Sequence, residues 1–248
     1  MESHDHNFKN VFFDFPTETF GWLAPEAHKM FGELKDLEFV RQEPAKRKLK
    51  DAHLALDMPI LFRFEEGDIL LWLVEFQEDK AKFSIYRLLR YTTDFMEAYP
   101  CATIIPTVLF TRRKKWRKDV LRRIKSGLGA KTYLYFEYQF VRLFDYNARD
   151  YYESRNPVVK ILMPLMNYTP EERQEVIWQA YWGLYQLVTP MLFDKYADFI
   201  DVYAGIREEE REELYSGLTD KEEGVMLAQY IKEKGFKEGL DQGMQQGM

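Results

Sequence analysis

The feature that most constrains the fold is a pair of apolar segments joined by a short polar turn. Leu54 to Phe64 and Ile69 to Phe76 are rich in strand-forming residues, and Glu65-Glu66-Gly67-Asp68 between them has turn composition. This pattern predicts a β-hairpin. Leu70 to Val74 is apolar at every position, which is typical of a central strand covered on both faces.

The segments around the hairpin alternate between helical and strand patterns. They predict a helix from about Thr17 to Leu34 that Pro25 kinks or divides, a short strand at Leu37 to Arg41, a helix capped by Ser84 and ending near Tyr99, and strands at Ala102 to Phe110 and Thr132 to Phe144. Pro106 favours an edge position or a break in its strand. Together these elements predict an α/β core of about 145 residues with a mixed sheet flanked by helices.

Beyond Tyr152 the strand patterns fade, and a helix start at Thr169-Pro170-Glu171-Glu172 indicates a helical region. We therefore predict one domain over residues 1–150 and a helical C-terminal region over 151–248. The last stretch carries glycines at a strict four-residue period, Gly235, Gly239, Gly243 and Gly247. Glycine disfavours helices, so we expect a frayed tail; close helix packing in a homo-oligomer is the alternative.

Composition excludes several classes of protein. Of the 248 residues 46% are hydrophobic and 31% are charged, which is a globular balance. The single Cys101 excludes an intramolecular disulfide framework and a cysteine-based zinc cluster. The start of the chain lacks the pattern of a signal peptide, and no apolar stretch approaches membrane-spanning length. We therefore expect a cytoplasmic protein that does not cross a membrane.

The charge of the chain is distributed unevenly. The formal net charge is −6, yet Arg112 to Lys125 contains nine basic residues and one acidic residue. Such asymmetry is typical of a polyanion-binding surface on an otherwise acidic protein. A solvated basic helix face, with Trp116, Val120, Leu121 and Ile124 as its apolar side, is the alternative.

Two acidic residues, Asp57 and Glu75, interrupt the apolar segments of the hairpin. Because side chains alternate along a strand, Glu75 and Gln77 are expected on one face and Phe76 on the other. Antiparallel pairing across the turn at Glu66-Gly67 would bring Asp57 opposite Glu75. A magnesium ion would relieve the repulsion between these carboxylates, and Mn²⁺ could replace it. The alternative is a salt bridge from Arg63, Arg87 or Arg90 without any metal.

This arrangement resembles a known superfamily. An acid on one strand, an acid-x-polar triplet on the next and a helix immediately afterwards is the layout of the PD-(D/E)XK nucleases. Within it the chain is similar to the recombination-promoting nuclease (Rpn)/transposase family, in which Gln replaces the usual lysine, as in Glu75-Phe76-Gln77. The opening His4-Asp5-x-x-Phe8-Lys9, the helix with Arg87 and Arg90-Tyr91, and the Gly-rich tail also resemble that family.

The resemblance implies a magnesium-dependent DNA endonuclease. Its metal ligands would be Asp57 and Glu75, with Gln77 as the third catalytic residue in the lysine position. Glu18 would match an auxiliary metal ligand, although a carboxylate also suits a helix start. The residues expected to bind DNA phosphates are Arg87, Arg90, Arg113, Lys114 and Lys118. Because Gln lacks the positive charge of Lys, a slow nuclease is expected, and the alternative is an inactive nuclease-fold protein that binds nucleic acid or protein.

Other features point less clearly to function. His4 and His6 are expected to be solvated rather than metal ligands. The aromatic residues of the Thr132 to Phe144 segment are expected in the core, with stacking on nucleobases as the alternative.

Overall fold

The computed structural model describes residues 4–40, 58–112, 119–207 and 210. Its contacts divide the chain into two compact units, of which the first ends at Tyr146 and the second begins at Asn147. We call them the sheet unit and the helical unit.

The sheet unit contains four α-helices and seven strands among its described residues. They are α1 (His4–Asp14), α2 (Pro16–Leu23), α3 (Pro25–Phe31), β1 (Leu34–Phe39), β2 (Met58–Phe64), β3 (Ile69–Gln77), α4 (Ile85–Ala98), β4 (Thr103–Phe110), β5 (Arg123–Leu128), β6 (Lys131–Glu137) and β7 (Gln139–Arg142). Five strands form a mixed sheet in the order β1-β2-β3-β4-β7, and β5 pairs with β6 in a separate hairpin. The predicted α/β class with a mixed sheet flanked by helices is confirmed.

The predicted hairpin is confirmed as β2 and β3. These strands are antiparallel, with Met58 opposite Val74 and Phe62 opposite Leu70. From β3 onwards the sheet is parallel, because β4 pairs with β3 and β7 pairs with β4 in the same direction. The carboxyl ends of three strands therefore meet at one end of the sheet, at Gln77, Phe110 and Arg142.

Helices cover both faces of β3. On one face Phe12 of α1 stacks on Trp72 and meets Phe76 edge to face, with ring centroids 5.6 and 4.8 Å apart. On the other face Leu71 and Leu73 belong to a core cluster that includes Leu88 of α4. This double coverage explains why the strand sequence is apolar at successive positions.

Several boundaries differ from the sequence predictions. Helix α1 was not predicted, and the helical region expected from Thr17 to Leu34 ends at Phe31. Its predicted division at Pro25 is confirmed, because the proline ring excludes a continuous backbone ladder between α2 and α3. Strand β4 lies inside the sheet despite Pro106, because β7 pairs with it only from Thr107 onwards. A continuous Thr132 to Phe144 strand is wrong: β6 and β7 belong to different sheets.

A basic helix over Arg112 to Lys125 is also wrong where the structure describes it. Residues 119–122 are not helical, and Arg123–Leu128 is strand β5. The helix-face assignment of Val120, Leu121 and Ile124 therefore fails, since Ile124 pairs with Phe136 across a hairpin. Trp116, Arg113, Lys114 and Lys118 lie outside the described residues.

The helical unit contains α5 (Pro157–Leu162), α6 (Arg173–Leu187) and α7 (Pro190–Ala204), with short 3-10 turns before and between them. At the predicted Thr169 start, the carboxylate of Glu172 accepts a hydrogen bond from the Thr169 backbone N–H at 2.9 Å. The periodic glycines of the tail lie outside the described residues. No helix among the described residues combines the length and the apolar character that a membrane crossing requires.

Candidate functional site

Glu75 and Gln77 occupy the last positions of β3 on one face of the sheet. Their residues are 5% and 8% exposed, so both polar side chains are buried. Phe76 between them points to the opposite face, where it contacts Phe8 and Phe12 of α1. The alternation predicted from the sequence is confirmed, and it places a carboxylate and an amide side by side at the carboxyl end of a central strand.

A cation from the next helix neutralises Glu75. The Glu75 Oε1 atom accepts a hydrogen bond from Gln77 Nε2 at 3.0 Å and a charged hydrogen bond from Arg87 Nη2. Arg87 lies in the first turn of α4, which Ser84 caps by accepting from the Arg87 backbone N–H. The cap thus fixes the helix start that places the guanidinium over the strand end.

Among the three arginines considered as partners for the site, the structure selects Arg87. Arg63 instead donates to Asp36 at 2.8 Å and to Glu38 at 2.7 Å. Arg90 is exposed, and its Nε donates to the Tyr86 carbonyl at 3.3 Å. The structure therefore contains the salt bridge at Glu75 that the sequence analysis gave as an alternative. Arg87, which was expected to bind DNA phosphate, pairs with Glu75.

The contacts that the structure describes for Glu75 include neither of the other predicted metal ligands, Asp57 and Glu18. Asp57 lies outside the described residues, although its neighbour Met58 has the predicted register opposite Val74. Glu18 is exposed in the first turn of α2. That helix packs through Phe20 on Phe62 at 4.2 Å, on the sheet face opposite to Glu75.

A second ion pair lies at the same end of the sheet. Glu78, the residue after Gln77, pairs with Arg112, which follows β4. The backbone of Thr111 donates to the Gln77 carbonyl at 3.2 Å, so the two chain segments stay together beyond the strands. In open α/β sheets ligands commonly bind outside the carboxyl ends of parallel strands. The sequence analysis did not include Glu78 in the site. Its position directly after Glu75-Phe76-Gln77 could have indicated that it lies at the same end of the sheet.

The donor atoms at this edge suit a hard cation only in part. Glu75 and Gln77 offer carboxylate and amide oxygens, the ligand type that magnesium prefers. Within the part of the chain that the structure describes, no group of three or more His, Cys, Asp or Glu residues could hold a metal ion.

The hairpin of β5 and β6 carries an exposed basic and aromatic surface. Tyr133 and Tyr135 are 61% and 53% exposed, and Lys125 lies directly opposite Tyr135. The Lys131 ammonium lies 5.2 Å above the Tyr133 ring. The expectation of a wholly buried aromatic segment is thus wrong for these two tyrosines and right for Phe136 and Tyr138. Alternation along the strand could have separated the two pairs.

Comparison with protein-family models, with curated proteins and with solved structures finds no match for this chain.

Proposed function

We propose that the sheet unit is a metal-dependent DNA endonuclease of the PD-(D/E)XK kind, resembling the recombination-promoting nucleases. The observation that carries this proposal is the buried pair of Glu75 and Gln77 on one face at the carboxyl end of β3. The register of the hairpin supports it, because the pairing of Met58 with Val74 leads along the chain to Asp57.

In this proposal Asp57 and Glu75 hold Mg²⁺ or Mn²⁺, and Gln77 orients the attacking water through its amide. A bound magnesium ion supplies Lewis-acid polarisation of the phosphoryl group and lowers the pKa of bound water. The Arg87 side chain is 32% exposed, so it can leave Glu75 when another cation takes over the carboxylate and can then contact a DNA phosphate.

The β5–β6 hairpin supplies a second contact with DNA in this proposal. Arg123 and Lys125 lie on neighbouring same-face positions of β5, next to the exposed Tyr135. Cationic groups bind phosphates and tyrosine rings stack on unpaired bases. Arg113, Lys114 and Lys118 precede this hairpin in the sequence and carry further positive charge.

Plasmid nicking tests the cleavage proposal. Wild-type protein with millimolar Mg²⁺ or Mn²⁺ should convert supercoiled plasmid to nicked and linear forms, and Asp57→Ala should not. Glu38→Gln is the matched control, because it removes an exposed carboxylate from β1. Equal nicking by folded wild type and Asp57→Ala would remove Asp57 from the site, and no nicking by wild type under any divalent ion would refute the endonuclease.

A binding module without cleavage is the second candidate, and the Glu75–Arg87 ion pair favours it. That pair neutralises the buried carboxylate without a metal. Calorimetric titration with Mg²⁺ and Mn²⁺ separates the two candidates. Heat of binding that disappears in Glu75→Gln supports the enzyme, whereas no binding by wild type supports the module.

Salt dependence tests DNA contact in either case. Replacing Arg113, Lys114 and Lys118 by Gln should flatten the plot of log affinity against log salt by about 0.9 per lost phosphate contact on duplex DNA. Metal binding should not change. An unchanged slope in the folded triple variant would show that these residues do not contact phosphate.

A further inference from the structure

A cavity in the helical unit has no role in the proposed nuclease. It has a volume of about 580 Å³ and lies between the Tyr152 to Arg155 segment, Lys160 of α5 and one side of α6. This volume is within the range of small-molecule sites, about 300–1,000 Å³. We call it the Lys160 cavity.

Lys160 is the buried charge in the wall of this cavity. The residue is only 2% exposed. Its ammonium donates to the backbone carbonyl of Tyr151 at 3.3 Å and to that of Tyr152. None of the salt bridges between described residues includes Lys160, so its charge meets backbone dipoles rather than a paired carboxylate.

The backbone of α6 is shaped to admit this side chain. A Cβ atom at Gly183 would overlap Lys160 Cε and lie 2.6 Å from Cδ, closer than real Cβ contacts come. Any larger residue would therefore displace the lysine from the helix. Glycine in the middle of a helix costs about 1 kcal/mol relative to alanine, and the space that Gly183 leaves is occupied by the Lys160 side chain.

Three charged residues line the cavity, the cations Lys160 and Arg155 and the anion Glu153. Burial lowers the pKa of Lys160, and the neighbouring carboxylate of Glu153 opposes that effect. Arg155 also lines the cavity, so Lys160, Arg155 and Glu153 together carry one net positive charge when the lysine is protonated. A bound anion would supply a counter-charge to Lys160 and Arg155.

Two tryptophans of α6 form part of the remaining wall. Trp178 and Trp182 lie one turn apart on α6, with ring centroids 6.2 Å apart and planes inclined by 26°. Both line the cavity together with the amide of Gln179. Aligned indole rings favour a planar apolar body, which stacks on them with little loss of conformational entropy.

We propose that the Lys160 cavity binds a small aromatic carboxylate, whose carboxylate group faces Lys160 and Arg155 and whose ring lies against Trp178 and Trp182. This site is separate from the nuclease proposal, because every residue it uses belongs to the helical unit.

Calorimetry and tryptophan fluorescence on the full chain test this proposal with 1-naphthoate as the probe. Wild-type protein should bind it with one-to-one saturation. The neutral isostere 1-naphthalenemethanol should bind at least about tenfold more weakly, as expected for the loss of a charge-assisted hydrogen bond. Inorganic phosphate should not compete at equal concentration. Equal affinity for the acid and the alcohol in wild type would overturn the role of the cations.

Variants locate the binding site. Lys160→Met should weaken 1-naphthoate about tenfold and reduce the preference over the alcohol to the part that Arg155 supplies, and Lys195→Met, which removes an exposed lysine of α7, should change neither. Arg155→Met removes an exposed side chain without risk to the core and should weaken binding about threefold. Wild-type affinity in folded Lys160→Met, or in Arg155→Met if Lys160→Met does not fold, would refute the proposal, as would no saturable binding to wild type.

Discussion

Glu75 in the sheet unit and Lys160 in the helical unit are both buried charges, but their environments neutralise them differently. Glu75 is paired with the guanidinium of Arg87 and accepts from the amide of Gln77. Lys160 donates to two backbone carbonyls and belongs to no salt bridge among the described residues. The first charge is in direct contact with an opposite charge, whereas the direct contacts of the second are with backbone carbonyls.

This difference decides what a ligand must do at each place. A cation that binds Glu75 competes with Arg87 for the same carboxylate, so binding there favours an exchange between two positive groups. An anion that binds near Lys160 adds the missing opposite charge and displaces nothing from the lysine. Metal binding in the sheet unit should consequently be weak until Asp57 contributes, whereas anion binding in the helical unit should depend mainly on one side chain.

The largest effect is expected on cleavage. Glu75→Gln should lower plasmid nicking at least about 1,000-fold, because a lost ligand should cost more than the 10–100-fold typical of groups that only support ligands. The fold should persist, since Gln has the same shape and its carbonyl can still accept from Arg87. A nicking assay with far-ultraviolet circular dichroism checks both points. Nicking at the wild-type rate would show that Glu75 serves Arg87 and not a metal.

The next effect tests the ion pair itself. Arg87→Leu leaves the Glu75 carboxylate buried without its guanidinium and should lower the free energy of unfolding by about 2–3 kcal/mol, less than the 3–5 for wholly buried pairs because Arg87 is partly exposed. Urea unfolding measures it. Arg90→Leu, on an exposed position of the same helix, is the control and should change stability by less than about 0.5 kcal/mol.

Magnesium turns this variant into a test of the metal site. If Glu75 can hold a cation, millimolar Mg²⁺ should restore part of the stability that Arg87→Leu loses and should have little effect on Arg90→Leu. Equal responses of the two variants would place magnesium elsewhere on the protein.

The sequence predicted the parts of the sheet unit that depend on local patterns. Turn composition and apolar periodicity were enough for the β2–β3 hairpin and its register, and the cap at Ser84 marked the start of α4. Alternation placed Glu75 and Gln77 on one face. Long-range pairing was not predictable in this way: a strand across Pro106 was predicted, but nothing local shows that it lies inside the sheet or that β6 and β7 separate.

The partners of the buried charges depended on the same long-range information. Three arginines were equally plausible partners for Glu75 by sequence, and only the path of α4 selects Arg87. Lys160 gave no signal at all, because a lysine inside Pro157–Leu162 reads as an ordinary helical residue. Its burial follows from the approach of Gly183, which lies 23 positions later in the chain.

A smaller effect is expected when the space for Lys160 is closed. Gly183→Ala should lower stability by about 1–2 kcal/mol, because the new Cβ displaces a bonded lysine. In a Lys160→Ala background the same substitution should instead raise stability by about 0.5–1 kcal/mol, the usual gain in a helix. A double-mutant cycle in urea measures this reversal of sign. Equal effects on stability in both backgrounds would show that Gly183 does not provide the space that Lys160 occupies.

The smallest effect is a dependence on pH. Burial holds the pKa of Lys160 below its ordinary value of 10.5, so the folded protein releases this proton at a lower pH than the unfolded chain does. Between these two pKa values the unfolded state binds more protons, and stability must rise with pH. Wild type should therefore gain stability relative to Lys160→Met as pH increases towards about 10.5, by less than about 1.4 kcal/mol per pH unit.

Comparison with the Met variant is needed because other groups titrate in the opposite sense. Burial raises the pKa of Tyr152 and of Tyr168 in the same unit, so their contribution to stability falls as alkaline pH deprotonates them preferentially in the unfolded chain. Both proteins share these tyrosines, and the difference in unfolding free energy between them isolates the lysine. A difference that stays constant from about pH 7 to about pH 10 would mean that Lys160 keeps its ordinary pKa, and the contrast with the fully paired Glu75 would then be lost.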